Sequence, residues 1–93
     1  MDVTGVKGPH NPTDIVAWAR GQLEVARSII DNPGGGLLFA TQAIGQVKAA
    51  LQEHGDQSYG EVVEILDRAE DRALRREFET ARKLIAEAVS RLS

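Results

Sequence analysis

The stretch that decides the fold is residues 61–93, EVVEILDRAEDRALRREFETARKLIAEAVSRLS, which contains neither Gly nor Pro. Because these two residue types most often interrupt a helix, the pattern indicates helix throughout. An unbroken helix of this length would extend about 50 Å, against about 30 Å for each of the two helices predicted before it. The way in which this mismatch is resolved determines how many helices pack together.

Apolar residues in this stretch form two seams. The first seam consists of Tyr59, Val62, Leu66, Ala69 and Ala73. The second seam consists of Leu74, Phe78, Ala81, Ile85, Ala88 and Leu92. At roughly 100° per residue the two seams point about 110° apart, so one straight helix cannot bury both against one surface. A continuous helix would also bring Asp67 and Glu70 into or beside the second seam, where unpaired charge is costly to bury.

We therefore predict an all-α fold, an antiparallel up-down bundle of three to four helices. A kink or short turn near Asp71 would divide the last segment and give four helices. The alternative is one long helix whose overhang packs against a second copy of the chain. The break is favoured, although long helices without an internal breaker residue are usually real.

Two helices are predicted before this segment. The first begins at Pro12, because Pro is favoured at the first helical position and the preceding Asn11 can cap the helix. It ends before the Pro-Gly-Gly-Gly stretch at residues 33–36, where the helical conformation is unfavourable. The second helix covers about residues 37–54 and is closed by a Gly. The Ser and Glu at the ends of residues 58–61 match a capping box, which predicts the start of the third helix.

The length of 93 residues favours a single domain, with residues 1–10 as a flexible N-terminal tail and residues 11–93 as the helical bundle. The sequence contains no Cys, which excludes disulfides, thiolate metal ligands and a Cys nucleophile. It also lacks the pattern of a signal peptide and any apolar run of membrane-spanning length, so a cytoplasmic protein is expected. The formal net charge of -3 disfavours a general polyanion binder.

No group of residues matches a known catalytic or metal-binding pattern. Neither His10 nor His54 has a Glu three residues before it, as a di-metal bundle requires, and two His residues do not make a zinc site. The three glycines before the second helix lack the strand and the Lys of a phosphate-binding loop. We therefore expect no catalytic residue, no metal and no cofactor. Core positions are expected for the four aromatic residues, Trp18, Phe39, Tyr59 and Phe78.

The predicted function is protein binding, because the second seam offers more apolar surface than three short helices can cover. The residues expected to line this interface are Leu74, Phe78, Ile85 and Leu92. The expected partner is a second copy of the chain, with a homodimer favoured, or another subunit of a larger assembly.

Clustered arginines suggest a different function. The arginine cluster, which could contact RNA or another anion, consists of Arg68, Arg72, Arg75 and Arg76. Acidic residues interleave with basic ones at the i,i+4 spacing that supports an exposed helix, which favours a solvated face instead. The pairs expected from this spacing are Glu64–Arg68, Asp71–Arg75 and Glu79–Lys83.

The segments QLEVARSII (22–30), LFATQA (38–43) and KAAL (48–51) resemble the opening two helices of HEPN domains, where a DLxxAxxLL helix precedes AxQAxxKAL. The resemblance implies an antiparallel helical bundle, often dimeric and frequently partnered with a minimal nucleotidyltransferase in toxin–antitoxin pairs. Some members of that family cleave RNA with an Arg followed four to six residues later by His. Neither His10 nor His54 follows an Arg at that spacing. The resemblance therefore implies an RNA- or nucleotide-associated module without the nuclease motif.

Overall fold

The computed structural model describes residues 12–31, 36–54 and 59–92, with the side chains of the first helix described from Ile15 onward. These ranges contain four helices and no strand. The helices are α1 (Pro12–Asp31), α2 (Leu37–His54), α3 (Gly60–Leu74) and α4 (Phe78–Leu92). The all-α prediction is confirmed. The predicted tail at residues 1–10, the caps at Asn11 and Ser58, and the closing Gly55 lie outside the described residues.

The four helices form an antiparallel bundle. Each helix packs on its neighbour in the sequence, and α1 packs on α4, which closes the ring. Two ion pairs between helices show that neighbouring helices run in opposite directions. The end of α4 lies beside the start of α3, where Arg91 Nη1 is 2.7 Å from Glu61 Oε1. The start of α4 lies beside the end of α1, where Arg82 Nη1 is 3.2 Å from Asp31 Oδ1.

A single apolar core runs along the centre of the bundle and takes residues from all four helices. Its largest fully buried side chains are Leu23, Ile44, Val47, Leu51, Leu66 and Ile85. Thr41 is also buried, and its hydroxyl donates a hydrogen bond to the carbonyl oxygen of Leu38 at 2.9 Å. Among the described residues, no buried side-chain nitrogen or oxygen lacks a hydrogen-bond partner. The core is therefore closed within one chain.

The predicted break in the last segment is confirmed, but it lies at residues 75–77, about one turn after Asp71. The amide of Arg76 donates to the carbonyl of Ala73, and the amide of Glu77 donates to the carbonyl of Arg72. These two bonds, with a left-handed residue between them, make up the Schellman motif that ends many helices. Here the left-handed position is Arg76, with φ 65°, where Gly is usual.

The side-chain contact that accompanies the motif is also unusual. The residues that normally make a hydrophobic contact across a Schellman motif are here Arg72 and Glu77. Arg72 Nη1 lies 3.2 Å from Glu77 Oε1, so an ion pair stands in the place of that contact. The turn allows both predicted seams to face the same core. The alternative of one long helix is therefore excluded for this structure.

Candidate protein interface

The structure corrects the predicted interface on the second seam. Ile85 is 0% exposed and Leu92 is 5% exposed, because both pack in the core of their own chain. Phe78 is half-buried against that core. Only Leu74, at the end of α3, is open to solvent, with 62% of its surface exposed. A partner cannot reach Ile85 or Leu92 while the bundle is closed, so these two residues do not form a docking surface.

The arginine cluster lies on an exposed surface, and two of its four members are engaged by carboxylates. Arg72 pairs with Glu77, and Arg75 Nε lies 3.2 Å from Asp71 Oδ2, as the i,i+4 spacing predicted. Arg68 and Arg76 make no ion pair within the described part of the chain.

The other two predicted pairs differ in the structure. Glu79 pairs with Arg82 rather than with Lys83, at 3.5 Å. The predicted pair between Glu64 and Arg68 is not formed. The cluster therefore mixes paired and unpaired cations among acidic residues, and it does not form a uniformly basic surface.

The outward side of α2 carries the largest exposed apolar side chains outside the α3–α4 turn. Leu38 and Phe39 are each 64% exposed, which corrects the expectation that Phe39 lies in the core. The residues that share this side at helical spacing are Leu38, Phe39, Gln42, Gly45, Gln46 and Ala49. None of them is charged. Of the two charged residues of α2, Lys48 faces α3, whereas Glu53, four residues after Ala49, lies on this same side in the last turn.

The adjoining side of α1 continues this surface. Trp18, Val25 and Ile29 lie at i, i+7 and i+11, so they share one side of the helix. Asp31 is on the opposite side, where it pairs with Arg82 of α4, so the side with Trp18 flanks α2. Trp18 and Ile29 are half-buried, and Val25 is 53% exposed.

Together these residues form what we call the α1–α2 face. It consists of Trp18, Gly21, Val25 and Ile29 from α1 and of Leu38, Phe39, Gln42, Gly45, Gln46 and Ala49 from α2. None of these members is charged, and Glu53 follows at the end of the α2 side, in a chain of which 27% of the residues are charged. Protein interfaces characteristically combine a core depleted in charge with aromatic side chains, and this face has both features.

The boundary between α2 and α3 is marked by charge instead. Lys48 Nζ lies 2.9 Å from Asp67 Oδ1 and 2.8 Å from Glu70 Oε1. The pKa of Lys48 is raised above its usual 10.5, mainly by the hydrogen bond to Glu70 and next by the hydrogen bond to Asp67. Desolvation of the ammonium group by burial opposes this rise. This cluster joins two helices and limits the uncharged surface on one side. Its cation and carboxylates neutralise one another, which is a structural arrangement rather than a reactive one.

No group of three or more His, Asp or Glu side chains within the described ranges could hold a metal ion. A shallow cleft between α1 and α4 is lined by Arg27, Asp31, Arg82 and Lys83, and its charges include the pair already described. None of the described helices is long and apolar enough to cross a membrane.

The sequence itself carries a signal for the α2 part of the α1–α2 face. Leu38, Gln42, Gly45 and Ala49 follow one another at steps of four, three and four residues, on the side of α2 away from its core seam. No protein-family model matches the chain, and no curated protein or solved structure matches it either. The HEPN resemblance therefore stays a prediction.

Proposed function

We propose that this chain is a small non-catalytic protein-interaction module that binds another polypeptide through the α1–α2 face. The observation that carries the proposal is that exposed Val25, Leu38 and Phe39 share a face whose described members are uncharged as far as Glu53 in the last turn of α2. A soluble monomer rarely leaves such residues contiguous on its surface. Burying one Leu or Phe side chain fully is worth about 1.5–3 kcal/mol, so a few of them can drive association.

A partner that fits this face presents an apolar and uncharged surface of its own. A charged partner surface would lose its hydration against the α1–α2 face and gain no counter-charge in return. The half-buried Trp18 and the exposed Phe39 are of the residue types that most often dominate binding energy. Glu53 lies in the last turn of α2, at the end of the α1–α2 face. The rim of a protein interface is normally polar and accessible to water, so a charged residue at this position is compatible with binding.

RNA or nucleotide binding through the arginine cluster is the second proposed function. Arg68 and Arg76 support it, since both are exposed, neither makes an ion pair within the described residues, and both could contact phosphate. The carboxylates of Asp71 and Glu77 weigh against it, because a phosphate would have to displace them from the other two arginines. The acidic net charge of the chain weighs against it as well.

The two functions can be separated by photo-crosslinking in cells that naturally make the protein. A photoreactive amino acid would replace Gln46 on the α1–α2 face or Arg68 on α3. Both positions are exposed, and each lies on the surface that one of the two proposed functions would use. We expect protein adducts from position 46 and none from position 68. Adducts from position 68 that disappear on treatment with ribonuclease would favour the second function. Equal protein adducts from both positions would contradict the α1–α2 face as the binding surface.

A further inference from the structure

The outward seam of α2 keeps to one side of the helix over about three turns. Leu38, Gln42, Gly45 and Ala49 follow one another at steps of four, three and four residues, an average of about 3.7, which is close to the 3.6 residues of one helical turn. Within the described chain, nothing lies within 4 Å of the place where a Cβ of Gly45 would be. The chain therefore leaves the space above this part of α2 unfilled.

The seam is graded in size from one end to the other. Its large, exposed member Leu38 lies near the start of α2, and its small members Gly45 and Ala49 lie in the second half. In one register of an antiparallel pair of such helices, Leu38 of each copy lies over Ala49 of the other. Gln42 then lies opposite Gly45. A two-fold axis thus places large residues against small ones at both ends of the contact.

Charge is also compatible with self-association. The members of the α1–α2 face are uncharged and Glu53 lies at its end, far from the middle of the contact, so two antiparallel copies meet without like charges opposite each other. In the antiparallel pair, Glu53 of each copy comes level with the start of α2 in the other. The free N–H groups at the start of a helix favour a nearby negative charge. The only carboxylate of α2 therefore stands where the second copy can stabilise it.

The area of the face is in the range that a dimer needs. Two adjacent helices about 10 Å wide and about 27 Å long present about 550 Å² per copy, or about 1,100 Å² for two copies. A biological interface needs about 1,000 Å² of total buried surface, so the estimate is above that minimum but below the about 1,200 Å² at which standard-size interfaces begin. Interfaces at this small end of the range are commonly weak, so the dimer is expected to exchange with monomer.

From these observations we infer that the partner on the α1–α2 face is a second copy of this chain. The two copies are related by a two-fold axis near Gln42 and Gly45, with their α2 helices antiparallel. This inference rests on the proposed function and names the partner of the same site.

Charge placed at the two-fold axis tests the arrangement. Gln42 is exposed, so Gln42→Glu and Gln42→Lys should leave the fold intact while each sets two like charges against each other across the axis. By sedimentation velocity from 1 to about 500 μM, the unmodified chain should dimerise, and each variant should raise the dissociation constant by about tenfold or more. An equimolar mixture of the two variants should restore the dimer as a heterodimer. The matched control is Glu64→Lys, an exposed charge change on α3 that should leave the dimer unchanged.

Three results would overturn the inference: a monomer throughout the concentration range, a dimer indifferent to Gln42→Glu, or a dimer sensitive only to Glu64→Lys. Circular dichroism on each variant establishes that a lost dimer does not reflect a lost fold. A monomeric chain that still forms a protein adduct at position 46 in cells would refute the second copy and leave the proposed function standing. The absence of any such adduct would refute the proposed function itself.

Discussion

Helices α2 and α3 lie side by side and contribute similar apolar residues to one core, but their outward sides are built differently. α2 carries two charged residues, Lys48 and Glu53, among 18, whereas α3 carries seven among 15. The outward side of α3 is suited to water, and that of α2 is not. The two halves of the bundle therefore differ: apart from Leu74, α3 and α4 bury their large apolar residues against the core, whereas α1 and α2 also leave Val25, Leu38 and Phe39 exposed outside it.

The largest expected change in stability comes from a substitution in the α3–α4 half of the bundle. Ile85→Ala should lower the free energy of unfolding by about 2–5 kcal/mol, because it removes a fully buried side chain and leaves a cavity. Leu74→Ala, only a few residues before α4, should change that free energy by about 0.5 kcal/mol or less, because Leu74 is exposed. Urea unfolding at one low protein concentration measures both. Equal losses for the two variants would contradict the assignment of Ile85 to the core.

A smaller effect is expected where α3 turns into α4. Arg76→Gly should raise the free energy of unfolding by about 1 kcal/mol, because Gly adopts the left-handed conformation without the strain that a Cβ causes. The matched control is Arg75→Gly, at φ -87°, where no such strain exists and the added flexibility should destabilise the fold. Thermal unfolding of both variants measures the two changes in stability. A gain from the control as large as that from Arg76→Gly would exclude relief of backbone strain as the cause.

The smallest effect concerns the boundary between α2 and α3. Lys48 is paired with Asp67 and Glu70, and its raised pKa means that its charged form is stabilised in the folded chain. This contribution is fully present below the usual pKa of 10.5 and is lost as the pH rises through the raised value.

Lys48→Met should therefore cost up to about 1 kcal/mol at neutral pH, and the difference from the unmodified chain should shrink under alkaline conditions. Urea unfolding as a function of pH measures this difference. The exposed Lys83→Met serves as the control, and the two substitutions should not have the same pH dependence. A loss for Lys48→Met that stays constant up to strongly alkaline pH would show that packing, not charge, is involved.

The bounds of the first two helices could be predicted from the sequence because local residues determine them. Pro12 suits the first turn of α1, and the Pro-Gly-Gly-Gly stretch at residues 33–36 cannot continue a helix. The structure begins α1 at Pro12 and covers α2 from Leu37 to His54, as predicted. Rules that act over a few residues are sufficient in this part of the chain.

In the last third of the chain, such local rules are not sufficient to place the helix boundaries. The divergence of the two seams correctly predicted a break, but its position depends on backbone bonds to Arg72 and Ala73 and on an ion pair with Glu77. No Gly marks the left-handed position, and the divergence of the two seams placed the predicted break near Asp71 instead. Once the break exists, both seams turn inward. For this reason the predicted interface at Ile85 and Leu92 was wrong, and the exposed surface appeared on α1 and α2.

The position of Trp18 has a consequence for spectroscopy. It is the only tryptophan in the chain, and it is half-buried at the edge of the α1–α2 face. Indole emission shifts to shorter wavelengths when water is removed from around the ring, and no other tryptophan contributes a background signal. The intrinsic fluorescence of the unlabelled protein should therefore report directly whether that surface is covered. A simple dilution series could then follow its occupancy without dyes or tags.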